Sequence, residues 1–224
     1  MKNNAELQKD VQDAIKWEPL LNAAEIGVTA KDGVITLTGI VNSYAKKSEA
    51  EHAAKSVAGV NAVVEKIEIK FGGDWANKDD NEIANEVLNA FKWNWEIPND
   101  KVKVKVERGL VTLEGELSWN FQKEAAKNEV KNLLGVIGVI NNIKIKSETN
   151  DAIEKNELEK ALARNWSINN QDIKVKVSGN KVTLLGIVGS LYQKDEAERI
   201  AWNTPGVWTV DNELTVEYEY LLID

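Results

Sequence analysis

The sequence predicts an α+β protein built from three tandem αββαβ units, each a three-stranded mixed sheet with two helices on one face. Three observations carry this prediction: a strand motif ending in glycine, a fixed spacing from that glycine to a Gly-Val pair, and the same order of helical and strand periodicity in each copy. A chain of 224 residues is long enough for three such units. We place the domain boundaries at 1–72, 73–147 and 148–224.

The strand motif puts a turn-forming residue six positions before a glycine. It occurs at 33–39 (GVITLTG), 109–115 (GLVTLEG) and 180–186 (NKVTLLG). Twenty residues after each final glycine stands a second glycine followed by valine, at Gly59, Gly135 and Gly206. Three identical spacings indicate one unit used three times.

Each unit opens with a helix and a hairpin. Apolar residues spaced three and four positions apart mark the first helix, as at Leu7, Val11 and Ile15. Two alternating strands follow, joined by a short turn that carries glycine in the first two units. The third unit has Asn180 at that place, and asparagine tolerates the positive φ that such turns require.

The second helix of each unit carries small or apolar residues four positions apart, and a last strand follows it. The small residues begin at Ala50, Ala126 and Ala197. A strand–helix–strand connection is right-handed, so the second helix returns to the face of the sheet that the first helix covers. The opposite face of each sheet is therefore predicted to be open.

These repeats resemble the BON domain, a family named for bacterial osmotically inducible protein Y and nodulation proteins. The resemblance rests on the Val-Thr-Leu-x-Gly strand, a lysine-bearing helix with spaced alanines, and the segment Gly-Val-x-x-Val-x-Asn-x-Leu-x-Val. The third unit matches that segment most fully, at 205–216 (PGVWTVDNELTV). The second unit keeps the motif asparagine as Asn141, and the first has Glu65 there.

The resemblance implies non-catalytic modules of the kind found in envelope-stress proteins, secretins, haemolysins and mechanosensitive channels. Attachment to phospholipid membranes is the role that it suggests. It also implies two alternatives: a periplasmic chaperone role, as in a two-domain relative, and binding of potassium, as in a cytoplasmic relative that joins this domain to a LysM domain.

Composition excludes much of enzyme chemistry. The chain has no cysteine and one histidine, His52, which removes thiol nucleophiles, disulfides, cysteine-based zinc sites and any mechanism that needs two imidazoles. No nucleophile-elbow, zinc-protease or phosphate-loop motif is present. We therefore predict a non-enzymatic protein without cofactor or bound metal, and place His52 on a solvated helix face.

Charge and apolar patterning bear on partners and location. A net charge of −8 argues against nucleic acid as a partner. Residues 1–8 pass directly into a polar helical pattern without the apolar run of a signal peptide, which predicts a cytoplasmic protein. A chain whose leader had been removed would look the same and would be periplasmic.

Two surfaces are candidate ligand-binding sites. Strand alternation turns four lysines toward the open sheet face of the second unit, where they would hold phosphate groups or merely solubilise the sheet: Lys103, Lys105, Lys144 and Lys146. Aromatic residues also stand where strand meets second helix, as contact residues or as caps of the core: Tyr44, Trp119 and Phe121.

Three functions are compatible with these patterns. The first is a stress-response binding protein that contacts membrane phospholipid or partner proteins. The second is a sensor in which backbone carbonyls bind a monovalent cation such as potassium. The third is an osmotic-stress chaperone for client proteins.

Overall fold

The structure is a computed structural model that describes residues 2–72, 78–146, 153–165 and 173–217. In the first repeat the elements are α1 (Asn4–Trp17), β1 (Ile26–Lys31), β2 (Val34–Val41), α2 (Tyr44–Ser56) and β3 (Ala62–Ile69). In the second they are α3 (Asp80–Trp93), β4 (Val102–Glu107), β5 (Leu110–Leu117), α4 (Asn120–Lys131) and β6 (Gly138–Ile145). In the third they are α5 (Lys155–Arg164), β7 (Ile173–Ser178), β8 (Lys181–Val188), α6 (Leu191–Trp202) and β9 (Thr209–Val216).

Each repeat has its own three-stranded sheet with the second strand in the centre. β4 pairs antiparallel with β5, and β5 pairs parallel with β6; β7, β8 and β9 follow the same scheme. β1 pairs antiparallel with β2. The α+β fold class and the three repeated αββαβ units are therefore confirmed.

The cores lie between helices and sheet. In the second repeat α3 packs on β4, α4 packs on β5 and β6, and the two helices contact each other. Its sheet contributes Val111, Leu113 and Ile143 to a buried cluster that includes Phe91 of α3. The predicted small residues of the second helices, Ala50, Ala126 and Ala197, have no exposed surface. Their size lets the helix backbone approach the sheet closely.

Side chains at the start of the first helices hold both the helix and the neighbouring hairpin. Asn3 and Asp79 each accept a hydrogen bond from the backbone N–H three residues on, at 2.8 Å, in a reciprocal capping box. One residue later, Asn4 Oδ1 accepts from the N–H of Asp32 at 2.9 Å. Asp80 accepts from Arg108 and Gly109, at 2.8 and 2.9 Å.

The hairpin turns differ between repeats. In the first two repeats both turn residues have positive φ: Asp32 (51°) with Gly33 (80°), and Arg108 (52°) with Gly109 (76°). That is the geometry of the type I′ turn. In the third repeat the positive φ lies at Gly179 (58°), one position before the predicted Asn180. The Asn180 side chain donates instead to the Gly206 carbonyl at 2.7 Å.

The chain divides into two compact units. One contains the described residues within 1–39, 48–67 and 151–224, and the other contains those within 40–47 and 68–150. The second unit thus holds the second repeat together with Tyr44, whose side chain packs against the core of that repeat.

Candidate functional site

The four predicted lysines of the second repeat lie exposed on one face of its sheet. Lys103 stands opposite Glu114, and Lys105 opposite Thr112, across the β4–β5 ladder. Lys144 stands opposite Glu116 on the β5–β6 ladder, and Lys146 follows two residues later on the same side. Strand register therefore gathers the lysines as expected, and it gathers glutamates among them.

The glutamates nearly balance the lysines. Lys105 Nζ lies 2.9 Å from a carboxylate oxygen of Glu107, and Lys146 Nζ lies 3.8 Å from one of Glu116. With Glu114, three glutamates share this face with four lysines, which leaves a surplus of one positive charge. Exposed ion pairs of this kind are weak, but they reduce the local positive potential. The face is a mixed-charge surface rather than a concentrated phosphate site.

The predicted aromatic residues fall into two groups. Trp119, which precedes α4 directly, is 37% exposed, and Phe121 on its first turn is 45% exposed. Tyr44 is half-buried against the core of the second unit. In the third repeat, Tyr192 of α6 packs edge-on against His52 with ring centroids 5.5 Å apart. Aromatic rings near the start of the second helices are thus partly structural.

Among the described residues, the most exposed aromatic rings lie elsewhere, at the ends of the first helices. Trp17 ends α1 and is 84% exposed; Trp93 ends α3 and is 86% exposed; Trp95 follows it and is 89% exposed. We call these three residues the helix-end tryptophans. Exposed lysines precede two of them, at Lys16 and Lys92.

Helical periodicity was the signal that could have identified the helix-end tryptophans. The buried face of α3 is formed by Ile83, Val87 and Phe91, four residues apart. Trp93 is two residues beyond Phe91, and at 3.6 residues per turn that is a rotation of about 200°. The ring therefore lies on the side of the helix away from the core. Trp17 stands in the same relation to Ile15 of α1.

Ionisable groups with shifted pKa values sit in surface ion pairs. A hydrogen bond from Arg199 lowers the pKa of the Glu196 carboxyl, although partial burial opposes that shift. Burial of Lys55 opposes a rise in its pKa, but the carboxylates of Asp195 and Glu51 outweigh that effect and raise it. In the described residues no group of three or more His, Asp or Glu side chains is arranged to hold a metal ion.

His52 is exposed on α2, as its predicted place on a solvated helix face requires. Its Nδ1 lies 3.6 Å from a carboxylate oxygen of Glu49. Together with the Tyr192 contact, this gives the ring a surface packing role.

The motif asparagines connect the last strand to the second helix. Asn141 donates from Nδ2 to the Lys123 carbonyl at 2.9 Å, and its Oδ1 accepts from the N–H of Ile143 at 3.3 Å. Asn212 makes the same two bonds, to Lys194 and Leu214, at the same distances. This part of the motif therefore has a structural role.

In the described ranges, no helix combines the length and apolar character needed to cross a bilayer.

Comparison with known proteins identifies the repeat. The BON domain matches three times, at residues 3–70, 79–147 and 150–218. The chain belongs to the BON domain family. Its three repeats are BON domains 1, 2 and 3 in chain order, and the expected resemblance is confirmed.

Among curated proteins, osmotically-inducible protein Y of Escherichia coli (strain K12) is 30% identical over 129 residues. The alignment covers 56% of this chain and 64% of that relative, which is less than two thirds of its length. Two solved structures of CdsD, a structural protein of the type III secretion system of Chlamydia trachomatis, are 18% and 16% identical over 96% of this chain. They are covered to 100% and 93%, with TM-scores of 0.25 and 0.23.

Proposed function

We propose that the chain is a non-catalytic, stress-associated binding protein that attaches to phospholipid membranes through the helix-end tryptophans. Membership of the BON family and similarity to an osmotically inducible protein support the stress association. The observation that carries the membrane attachment is the 84–89% exposure of Trp17, Trp93 and Trp95.

An exposed indole is suited to the boundary between water and lipid. The ring is large and apolar, and its N–H needs a polar partner, so tryptophan concentrates where hydrocarbon meets headgroups. A monomeric protein gains nothing in its own core from a ring that remains in water. The rings therefore favour an external surface as their partner.

Electrostatics has a secondary role in this attachment. The net charge of −8 repels an anionic surface over long range, and the sheet face of BON domain 2 is nearly balanced. Lys16 and Lys92, beside the tryptophans, are the lysines best placed to meet lipid phosphates. The sheet lysines, Trp119 and Phe121 contribute less, and Tyr44 is half-buried against the core of its unit.

Vesicle sedimentation of the full chain tests the proposal. We expect binding to phosphatidylcholine vesicles that is strengthened only modestly when phosphatidylglycerol is added. Replacing both Trp93→Ser and Trp95→Ser is expected to weaken binding about tenfold or more, as for loss of a large aromatic anchor. The matched controls are Trp119→Ser and the pair Lys103→Gln with Lys105→Gln, each with a smaller effect.

Two results would contradict this assignment. Unchanged vesicle binding by the double tryptophan variant would move the contact away from the helix ends. Absence of binding by the unsubstituted chain to either vesicle would remove the membrane function altogether, and a partner protein would then be the candidate for the same rings.

Binding of a monovalent cation and a chaperone role both stay predictions. Thermal unfolding in potassium against sodium chloride tests cation binding, and suppression of client aggregation tests the chaperone role.

A further inference from the structure

BON domains 1 and 3 contact each other through their second helices. The His52 ring of α2 packs edge-on against Tyr192 of α6, with ring centroids 5.5 Å apart. Three residues further along each helix, Lys55 Nζ lies 3.5 Å from a carboxylate oxygen of Asp195. Lys55 also pairs with Glu51 of its own helix, at 3.1 Å. A lysine that already has a partner on its own helix therefore still makes the contact between domains.

The two sides of this contact differ in chemistry. We call Tyr192 and Asp195, at the start of α6, an acidic patch, and His52 and Lys55, near the end of α2, a basic patch. Residue numbers rise on both helices from the ring contact to the ion pair, so the two helices run in the same direction along the contact. The end of one helix thus meets the start of the other.

The second helix of BON domain 2 carries both patches. Counted from the buried alanine that the second helices share, Phe121 and Glu124 of α4 occupy the positions of the acidic patch. The two segments read FQKE at 121–124 and YQKD at 192–195. Asn128 and Lys131 of α4 occupy the positions of the basic patch.

BON domains 1 and 3 each carry one complete patch. α2 has Ala45 and Ser48 where the acidic patch has its ring and its carboxylate. α6 has Trp202 where the basic patch has its lysine, and its Arg199 is bonded to Glu196 of the same helix at 2.6 and 2.7 Å. The contact between these two domains therefore pairs the one complete patch that each possesses.

Both patches of α4 lie at the surface of BON domain 2. Phe121 is 45% exposed, Asn128 is exposed, and Glu124 and Lys131 are half-buried. Glu124 and Lys131 are seven residues apart, which places them on the same side of the helix but about 10 Å apart along its axis. Because that distance prevents an ion pair within one α4, each charge is suited to an opposite charge on a second molecule.

We propose that this side of α4 is an interface between copies of the chain, in which the basic patch of one copy packs against the acidic patch of the next. Phe121 takes the place of Tyr192 beside Asn128 of the other copy, and Glu124 pairs with Lys131 of that copy. The two patches are different surfaces, so the contact is heterologous, and association continues beyond the dimer into a ring or a filament. The proposal uses none of the helix-end tryptophans and does not depend on membrane attachment.

Sedimentation velocity of the full chain and of charge-reversed variants tests the proposal. Measurements up to roughly 1 mM detect even a contact with a millimolar dissociation constant. We expect the average mass of the unsubstituted protein to rise beyond twice the chain mass of 24.9 kDa. Glu124→Lys and Lys131→Glu each bring like charges together, and each alone is expected to weaken association about tenfold or more.

A mixture of the two variants provides the decisive measurement. Lys131 is intact in the Glu124→Lys variant, and Glu124 is intact in the Lys131→Glu variant, so the mixture is expected to associate although neither variant does so alone. The matched control is Lys103→Glu, an exposed reversal on the sheet of the same domain, which should leave association unchanged.

Four results would overturn the proposal: a monomer at every concentration, a mass that levels off at the dimer, single variants that associate like the unsubstituted chain, or a mixture that fails to associate. Circular dichroism checks that each variant is folded. Should a reversal unfold the chain, Phe121→Ser replaces it and is expected to weaken association about tenfold. Association that Phe121→Ser leaves unchanged would also overturn the proposal.

Discussion

The inner face and the outer end of α3 use the same residue class for opposite purposes. Phe91 has 1% of its surface exposed, whereas Trp93, two residues later, has 86% exposed. Both rings belong to one helix of one BON domain, and only their angular position separates them. The angular position of an aromatic residue relative to the buried stripe of its helix therefore decides whether its ring packs in the core or lies in solvent.

The two rings are expected to contribute very differently to the stability of the fold. Phe91→Ala is expected to lower the free energy of unfolding by about 3–5 kcal/mol, because it leaves a cavity in a packed core. Trp93→Ala is expected to change it by less than about 0.5 kcal/mol, as exposed positions do. Denaturant titration followed by far-ultraviolet circular dichroism measures both. A loss above about 2 kcal/mol for Trp93→Ala would show that its ring packs after all.

Half-buried and exposed asparagines of β6 are expected to differ in the same way. Asn141→Ala removes two hydrogen bonds, one from β6 to α4 and one between neighbouring residues of β6. It is expected to lower the free energy of unfolding by about 1–3 kcal/mol. Asn142 is the exposed neighbour, and Asn142→Ala is the control. It should lower the free energy of unfolding by less than about 0.5 kcal/mol. Vesicle binding should be the same for both variants. Weaker vesicle binding by folded Asn141→Ala would give this residue a contact role.

The smallest expected effect concerns the Glu196–Arg199 pair on α6. Its hydrogen bond holds the pKa of Glu196 below the ordinary value of 4.5, so the pair stabilises the fold above that pH and loses its contribution as the pH falls through the lowered pKa. Arg199→Ala is expected to lower the free energy of unfolding by less than about 1 kcal/mol at pH 7, since the Arg199 side chain is about half exposed and solvent screens the pair.

Thermal unfolding of the chain and of Arg199→Ala from pH 7 to pH 2.5 should show the two stabilities converging at the acid end. A gap that widens on acidification would mean that Arg199 acts through another contact.

Repetition made the fold readable from sequence, because a spacing seen three times removes the ambiguity of a single strand motif. Ala50, Ala126 and Ala197 were placed on one face of each second helix by periodicity alone, and they are buried. The charge distribution on the open sheet face of BON domain 2 could be predicted only in part. Alternation puts Lys146 outward, but Glu116 meets it only through the register between β5 and β6, which depends on how the crossover closes.

Features that depend on distant segments were beyond sequence reasoning. A pocket of about 670 Å³ on BON domain 1 is lined by Gly33, Gly59 and the start of α1, which are distant in sequence, and no local pattern predicts it. The sequence left Tyr44 open as a contact residue or as a cap of its own core, whereas its ring packs against residues of the next repeat. Burial of one side chain by a separate domain leaves no period in the sequence.

Because the charges on the BON domain 2 sheet are nearly balanced, the proposed membrane attachment should depend little on ionic strength. Counterions shorten the reach of a lysine to a phosphate, with a Debye length that falls from about 10 Å at 0.1 M to about 3 Å at 1 M. An indole seated among headgroups loses nothing by this, since excluded salts favour its removal from water. A protein that attaches by its tryptophans would stay bound to its membrane during an osmotic upshift, whereas one attached by lysines alone would dissociate.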